Sequence, residues 1–79
     1  MNKRQEKILH ILREENKWFT ANELAKLLSV SNRTIRSDID TINKVYSEKL
    51  ITSNLRSGYA IIPENYKQFQ SKRQNLLQS

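Results

Sequence analysis

The tightest constraint on this chain is a gap of three residues, Ser29-Val30-Ser31, between two segments that both read as helices. Upstream, Thr20-Ala21-Asn22-Glu23 has the T-x-x-E spacing of a capping box, in which the Thr hydroxyl and Glu carboxylate satisfy orphan amides at a helix start. Ala21, Leu24, Ala25 and Leu28 then share one face. Downstream, Ser31 is a good N-cap, and Ile35, Ile39, Ile42 and Tyr46 recur every three or four residues, which predicts a helix over 32–46. Two helices separated by so few residues must cross steeply and in contact. Ala25 is small where they approach, Val30 plugs the turn, and Ile35 and Ile39 bury the inner side of the second helix.

The flanking segments complete a small single domain. Ile8, Leu9, Ile11 and Leu12 lie at helical spacing within residues 2–15, and of the adjacent aromatics Trp18 and Phe19 at least one is expected to plug the core. Leu50-Ile51-Thr52-Ser53 and Tyr59-Ala60-Ile61-Ile62 are β-prone runs on either side of Asn54-Leu55-Arg56-Ser57-Gly58, a hairpin whose single glycine tolerates positive φ. Pro63-Glu64 suits the first turn of a last helix over about 64–77, with Tyr66, Phe69, Leu76 and Leu77 as its apolar residues. The last helix would either pair two copies of the chain as a homodimer through Phe69, Leu76 and Leu77 or pack on the chain's own core. The expected organisation is a domain over 1–62 followed by a C-terminal helical segment over 63–79.

Helix, helix, turn, helix and hairpin in that order make a winged helix-turn-helix: mainly α, with a three-helix core, a small β-hairpin wing and a C-terminal helix. The residues from Thr20 to Ile39 also resemble the pattern T-x-x-E-L-A-x-x-L-x-V-S-x-x-T-I-R-x-D-I of bacterial sugar-operon regulators. These include the deoxyribose-operon repressor-like family and the amino-terminal domains of BglG-like regulators that carry phosphotransferase regulation domains. Arg56-Ser57-Gly58-Tyr59-Ala60-Ile61 looks like the wing of the same families. The resemblance implies binding to double-stranded DNA, transcription regulation in a bacterial cytoplasm, and an effector domain elsewhere in a longer chain. The turn departs from the commonest form in having Ser29 where a glycine often stands.

Composition agrees with a polyanion partner. Fourteen Lys and Arg against eight Asp and Glu give a formal charge of +6. The absence of cysteine excludes a disulfide scaffold, a thiolate zinc site and a cysteine nucleophile. No apolar run approaches the about 20 residues that a bilayer span needs, so no membrane role is expected, and neither is a cofactor or metal. His10, the lone histidine, has no second ligand nearby in sequence. Asp38 and Asp40 are two apart on a helix and point in different directions, so they form no acid–base dyad, and nothing in the chain suggests an enzyme.

With Ile35 turned inward, steps of 100° per residue place Arg33, Ser37, Asp40 and Lys44 on the opposite side, with Thr34, Arg36 and Thr41 beside them. The candidate DNA-binding residues are therefore Asn32, Arg33, Thr34, Arg36, Ser37 and Lys44 on that helix, placed in the major groove, with Arg suited to guanine O6 and N7. Ser31, at the amide end of the helix, could hold a phosphate. Arg56 at the hairpin tip could reach the backbone or the minor groove. Asp40 is instead expected to pair with Arg36 or Lys44 at i, i+4 on a solvated surface. A protein-binding module with the same fold, using its hairpin or last helix, is the competing reading, and an acidic or apolar outer face on the 32–46 helix would have favoured it.

Overall fold

The computed structural model describes residues 1–45 and 48–78, with side chains described as far as Ser71. Its elements run α1 (Lys3–Glu15), α2 (Ala21–Leu28), α3 (Asn32–Val45), β1 (Ile51–Asn54), β2 (Gly58–Ile61) and α4 (Pro63–Gln78). The fold is the expected winged helix-turn-helix. Tyr46, assigned to α3 from the sequence, lies outside the described residues.

Local chemistry sets each boundary. Asn2 caps α1 and forms a capping box with Gln5, while Asn16 ends that helix in the left-handed conformation at φ 49°. Thr20 and Glu23 form the capping box of α2. The turn after α2 closes with the Val30 N–H donating to the Ala25 carbonyl at 3.0 Å. Ser29 stands there at φ 56°, in the conformation that a glycine adopts without strain. The unusual residue thus leaves the turn geometry intact and raises only its conformational cost.

The core collects Ile8, Leu9 and Leu12 from α1, Leu24 and Ala25 from α2, and Ile35, Ile39 and Ile42 from α3. Ile8, Leu12, Leu24, Ile35 and Ile42 are wholly buried, each such side chain contributing about 1.5–3 kcal/mol on removal from water. Of the two neighbouring aromatics, Phe19 enters the core and Trp18 stays 41% exposed. Val30 packs against the core from the turn.

The strands pair antiparallel in the register Ile51↔Ile61, Thr52↔Ala60, Ser53↔Tyr59 and Asn54↔Gly58. Each lies one residue toward the tip from its expected span, and the reason is Asn54. Its Oδ1 accepts from the Arg56 N–H at 2.8 Å and the Ser57 N–H at 3.1 Å, so the turn tightens to residues 55–57. Leu50 still pairs outside β1, its carbonyl accepting from the Ile62 N–H at 2.8 Å. Gly58 therefore opens β2 rather than sitting within the turn.

The outer edge of β2 is not bare. Phe19 and Tyr59 exchange backbone hydrogen bonds of 2.8 and 2.7 Å, which sew the α1–α2 connection to the hairpin. Gly58 has φ +97°, and a Cβ there would stand 2.3 Å from the Phe19 carbonyl oxygen. The glycine is required both by its backbone conformation and by this close approach. At the inner end, Asn43 of α3 clamps β1: its Oδ1 accepts from the Leu50 and Ile51 N–H groups at 3.0 Å each, and its Nδ2 donates to the Ile51 carbonyl at 3.1 Å.

Helix α4 begins at Pro63, one residue before its expected start. Phe69 is buried on the chain's own core, with the Tyr66 ring 6.3 Å away and Arg13 over Tyr66 at 5.7 Å. Of the two uses expected for Phe69, the structure shows the intramolecular one. The side chains of Leu76 and Leu77 lie outside those described.

Candidate nucleic-acid interface

The orientation of α3 is set from its inner side. Ile35, Asp38, Ile39 and Ile42 are its buried residues, and Asp38 is the one ionisable group among them, its side chain 5% exposed. Arg4 of α1 holds it through Nε on Oδ2 and Nη2 on Oδ1, the latter at 3.0 Å. The Gln5 amide donates to Oδ1 at 3.1 Å. The hydrogen bond from Arg4 is the largest influence holding the Asp38 carboxyl below its ordinary value, outweighing the opposing effect of burial. The same bond raises the guanidinium of Arg4. An ion pair with every buried oxygen satisfied fixes the rotation of α3 about its axis relative to α1.

From the sequence alone Asp38 stands out only as a neighbour of Asp40. The spacing held the signal, since Asp38 lies three residues after Ile35 and four before Ile42 and so falls on the buried stripe.

On the opposite side of α3, Arg33, Arg36, Ser37, Asp40, Thr41 and Lys44 are all exposed. Neither Arg36–Asp40 nor Asp40–Lys44 closes to a salt bridge among the described residues, contrary to the pairing expected for Asp40. An exposed i, i+4 pair gains little over full hydration, so the side chains stay in solvent. The Thr41 hydroxyl donates to the Ser37 carbonyl at 3.1 Å.

At the start of α3 three of the candidates are committed to internal contacts. The Ser31 Oγ accepts from the Thr34 N–H at 3.1 Å and shares a second bond with the Thr34 hydroxyl at 2.9 Å. The amide of Asn32 donates to the Asn22 Oδ1, tying the first turn of α3 to the first turn of α2. Ser31 is thus a working helix cap, and Asn32 a brace between the two helices.

Arg36 is the residue that links helix to wing. It lines a cleft of about 180 Å³ together with Asn22, Asn32, Arg56 and Tyr59. It also lines a second cleft, bounded by Asp40, Ser53, Asn54, Leu55 and Tyr59. The structure therefore brings Asn32, Arg36 and Arg56 together, whereas Arg33, Ser37 and Lys44 lie along α3 outside these clefts. Asn22 and Tyr59 were absent from the sequence candidates because they stand on α2 and β2, whose place beside α3 depends on tertiary packing.

Among the described residues, no cluster of three His, Asp or Glu side chains could hold a metal. No helix formed by them is long and apolar enough to cross a membrane.

Comparison with known proteins matches residues 4–60 of the sequence to the HTH domain family. The chain is similar to the capsule synthesis positive regulator AcpA of Bacillus anthracis, 42% identical over 60 residues, which are 73% of this chain and 12% of that protein. It is also similar to the capsule synthesis positive regulator AcpB of the same organism, 46% identical over 46 residues, 58% of this chain and 10% of that protein. The chain thus spans about a tenth of the length of these curated relatives.

Proposed function

Because the chain belongs to the helix-turn-helix (HTH) domain family, we propose that it is the DNA-binding domain of a bacterial transcription regulator. In this reading α3 enters the major groove and the wing rests on the backbone or in the minor groove. One observation carries the proposal. Arg33, Arg36 and Lys44 stand exposed on the outer face of α3, with no protein partner among the described residues, on a helix whose opposite face is locked to the core. Cations left in water by the fold are available to phosphates and base edges.

The roles follow from placement. Arg33 and Arg36 are the base-reading side chains, and Ser37 supports them with a short donor. Lys44, about two turns farther along, meets backbone phosphate. Ser31, Asn32 and Thr34 present the amino end of α3, with its backbone amides, toward a phosphate while their side chains hold the turn. Arg56 carries the wing contact. The domain binds and does not catalyse.

The motif resemblance is to sugar-operon regulators, and the two relatives are named positive regulators of capsule synthesis; what the two have in common is a regulatory role. The matched residues are 12% and 10% of those relatives, and in this reading an effector domain lies elsewhere in a longer chain. A role in sugar metabolism rests on the motif resemblance alone.

Selection from a random duplex pool tests the reading. The domain is expected to enrich a short motif. Its affinity for that duplex should fall with salt at a log–log slope of about −0.9 for each phosphate contacted. No enrichment, with binding insensitive to salt, would contradict it.

A further inference from the structure

The wing tip carries an anomaly. Leu55 is fully exposed, at 107% of its reference surface, whereas Leu27, Val45 and Trp18 are partly covered at 59, 47 and 41%. Turn tips ordinarily take small or polar residues, because a large aliphatic group there remains in water. This tip is also held in shape. Asn54 accepts from the amides of both Arg56 and Ser57, on either side of which the strands are in register, so Leu55 is presented on a fastened turn. Its surroundings carry a net positive charge, Arg36 and Arg56 against Asp40. Leu55 lines both clefts between wing and recognition helix, each of which Arg36 also lines, and Arg56 borders one of them.

We propose, resting on the DNA-binding reading above, that Leu55 is an apolar wedge that enters the minor groove of the bound duplex beside Arg56 and partly unstacks a base step. The occupant is set by charge complementarity. A leucine beside Arg36 and Arg56, neither of which has an ion pair among the described residues, with Asp40 the one carboxylate bordering the clefts, fits a polyanion with an apolar interior, which is what a groove with stacked base edges offers. Minor-groove wedges of this kind favour steps that unstack easily. The wing then reads deformability, and the preferred element beneath it is a flexible pyrimidine–purine step such as TA or CA.

The test compares the wild-type domain with Leu55→Ala on the duplex that the wild type enriches, with 2-aminopurine placed in turn at each step under the wing. Because the side chain is fully exposed, the variant should melt at the wild-type temperature. The expected result is affinity weakened about five- to tenfold, loss of the fluorescence rise at one step, and loss of the TA or CA preference there, while the part of the motif read by α3 is kept. Leu55→Phe should retain the fluorescence rise.

Equal affinity and equal fluorescence for wild type and Leu55→Ala would overturn the assignment while leaving the DNA-binding reading in place. A wild type that enriches no duplex and whose binding is insensitive to salt would overturn both. A free domain whose sedimentation mass falls on Leu55→Ala substitution would assign the leucine to a second copy of the chain and overturn the wedge.

Discussion

The inner and outer faces of α3 are built from the same short helix and treat their polar groups in opposite ways. Inward, Ile35, Ile39 and Ile42 fill the core, and the one charged residue, Asp38, is bonded to both Arg4 and Gln5. Outward, Arg33, Arg36, Asp40 and Lys44 stand in water without ion pairs among the described residues. A binding helix must be fixed from behind if its free side chains are to meet a partner in one register. Changes on the two faces should therefore separate stability from binding.

The largest effect belongs to the inner face. Ile35→Ala, at a wholly buried site, should cost about 2–5 kcal/mol by lost transfer and cavity. In a domain this small such a loss is a large share of the total, so urea unfolding should show a sharply lowered midpoint, with DNA binding lost through unfolding. A midpoint near that of wild type would break the comparison at its firm side.

Next comes the seam between wing and helices. Gly58→Ala places a Cβ against the Phe19 carbonyl at positive φ, with an expected cost of about 1–3 kcal/mol in thermal unfolding. Unlike Ile35→Ala, it should also loosen the wing, which hydrogen exchange at the Tyr59 and Phe19 amides would report.

Asp38 sharpens the contrast through pH. Its carboxyl is held below its ordinary value of 3.8 chiefly by the hydrogen bond from Arg4, so the folded state favours the ionised form. That contribution is fully present above the ordinary carboxylate range and is lost as pH falls through about 4 and below. Asp38→Asn should be less stable than wild type at pH 7, and the difference should shrink in urea titrations taken toward pH 3. A gap that stays constant with pH would mean that Asp38 contributes packing alone. The Glu23 carboxylate, lowered by its bonds to Thr20, adds to the same acid sensitivity of the wild type.

The smallest effect is at the turn. Ser29→Gly relieves a non-glycine residue at φ 56°, for an expected gain of at most about 1 kcal/mol, part of which the greater freedom of glycine in the unfolded chain cancels. A slightly raised melting temperature with unchanged DNA affinity is the expected outcome.

These residues also show what could be read from sequence. The capping box at Thr20, the turn at residues 29–31 and the isoleucine stripe of α3 were legible because each rests on contacts within a few positions of the chain. The outer face of α3 followed once Ile35 was turned inward. What escaped depends on distant partners. The Arg4–Asp38 pair spans 34 positions, the backbone bridge of Phe19 to Tyr59 joins a loop to a strand, and the cleft formed by Asn22, Arg36 and Arg56 draws on three elements. The strand shift at the hairpin is hidden for a different reason: Asn54 falls in the loop by residue type, whereas its side chain closes the loop and its backbone ends β1.

The most direct measurement is the affinity of the double variant Arg33→Ala/Arg36→Ala for the duplex enriched by wild type, taken beside its urea midpoint. Each arginine on a guanine edge is worth about 1–3 kcal/mol of discrimination, while exposed substitutions change stability by no more than about 0.5 kcal/mol each. The account predicts loss of motif-specific binding with an almost unchanged midpoint. Specific binding retained by the double variant would contradict it, because the outer face of α3 would then not be the surface that reads DNA.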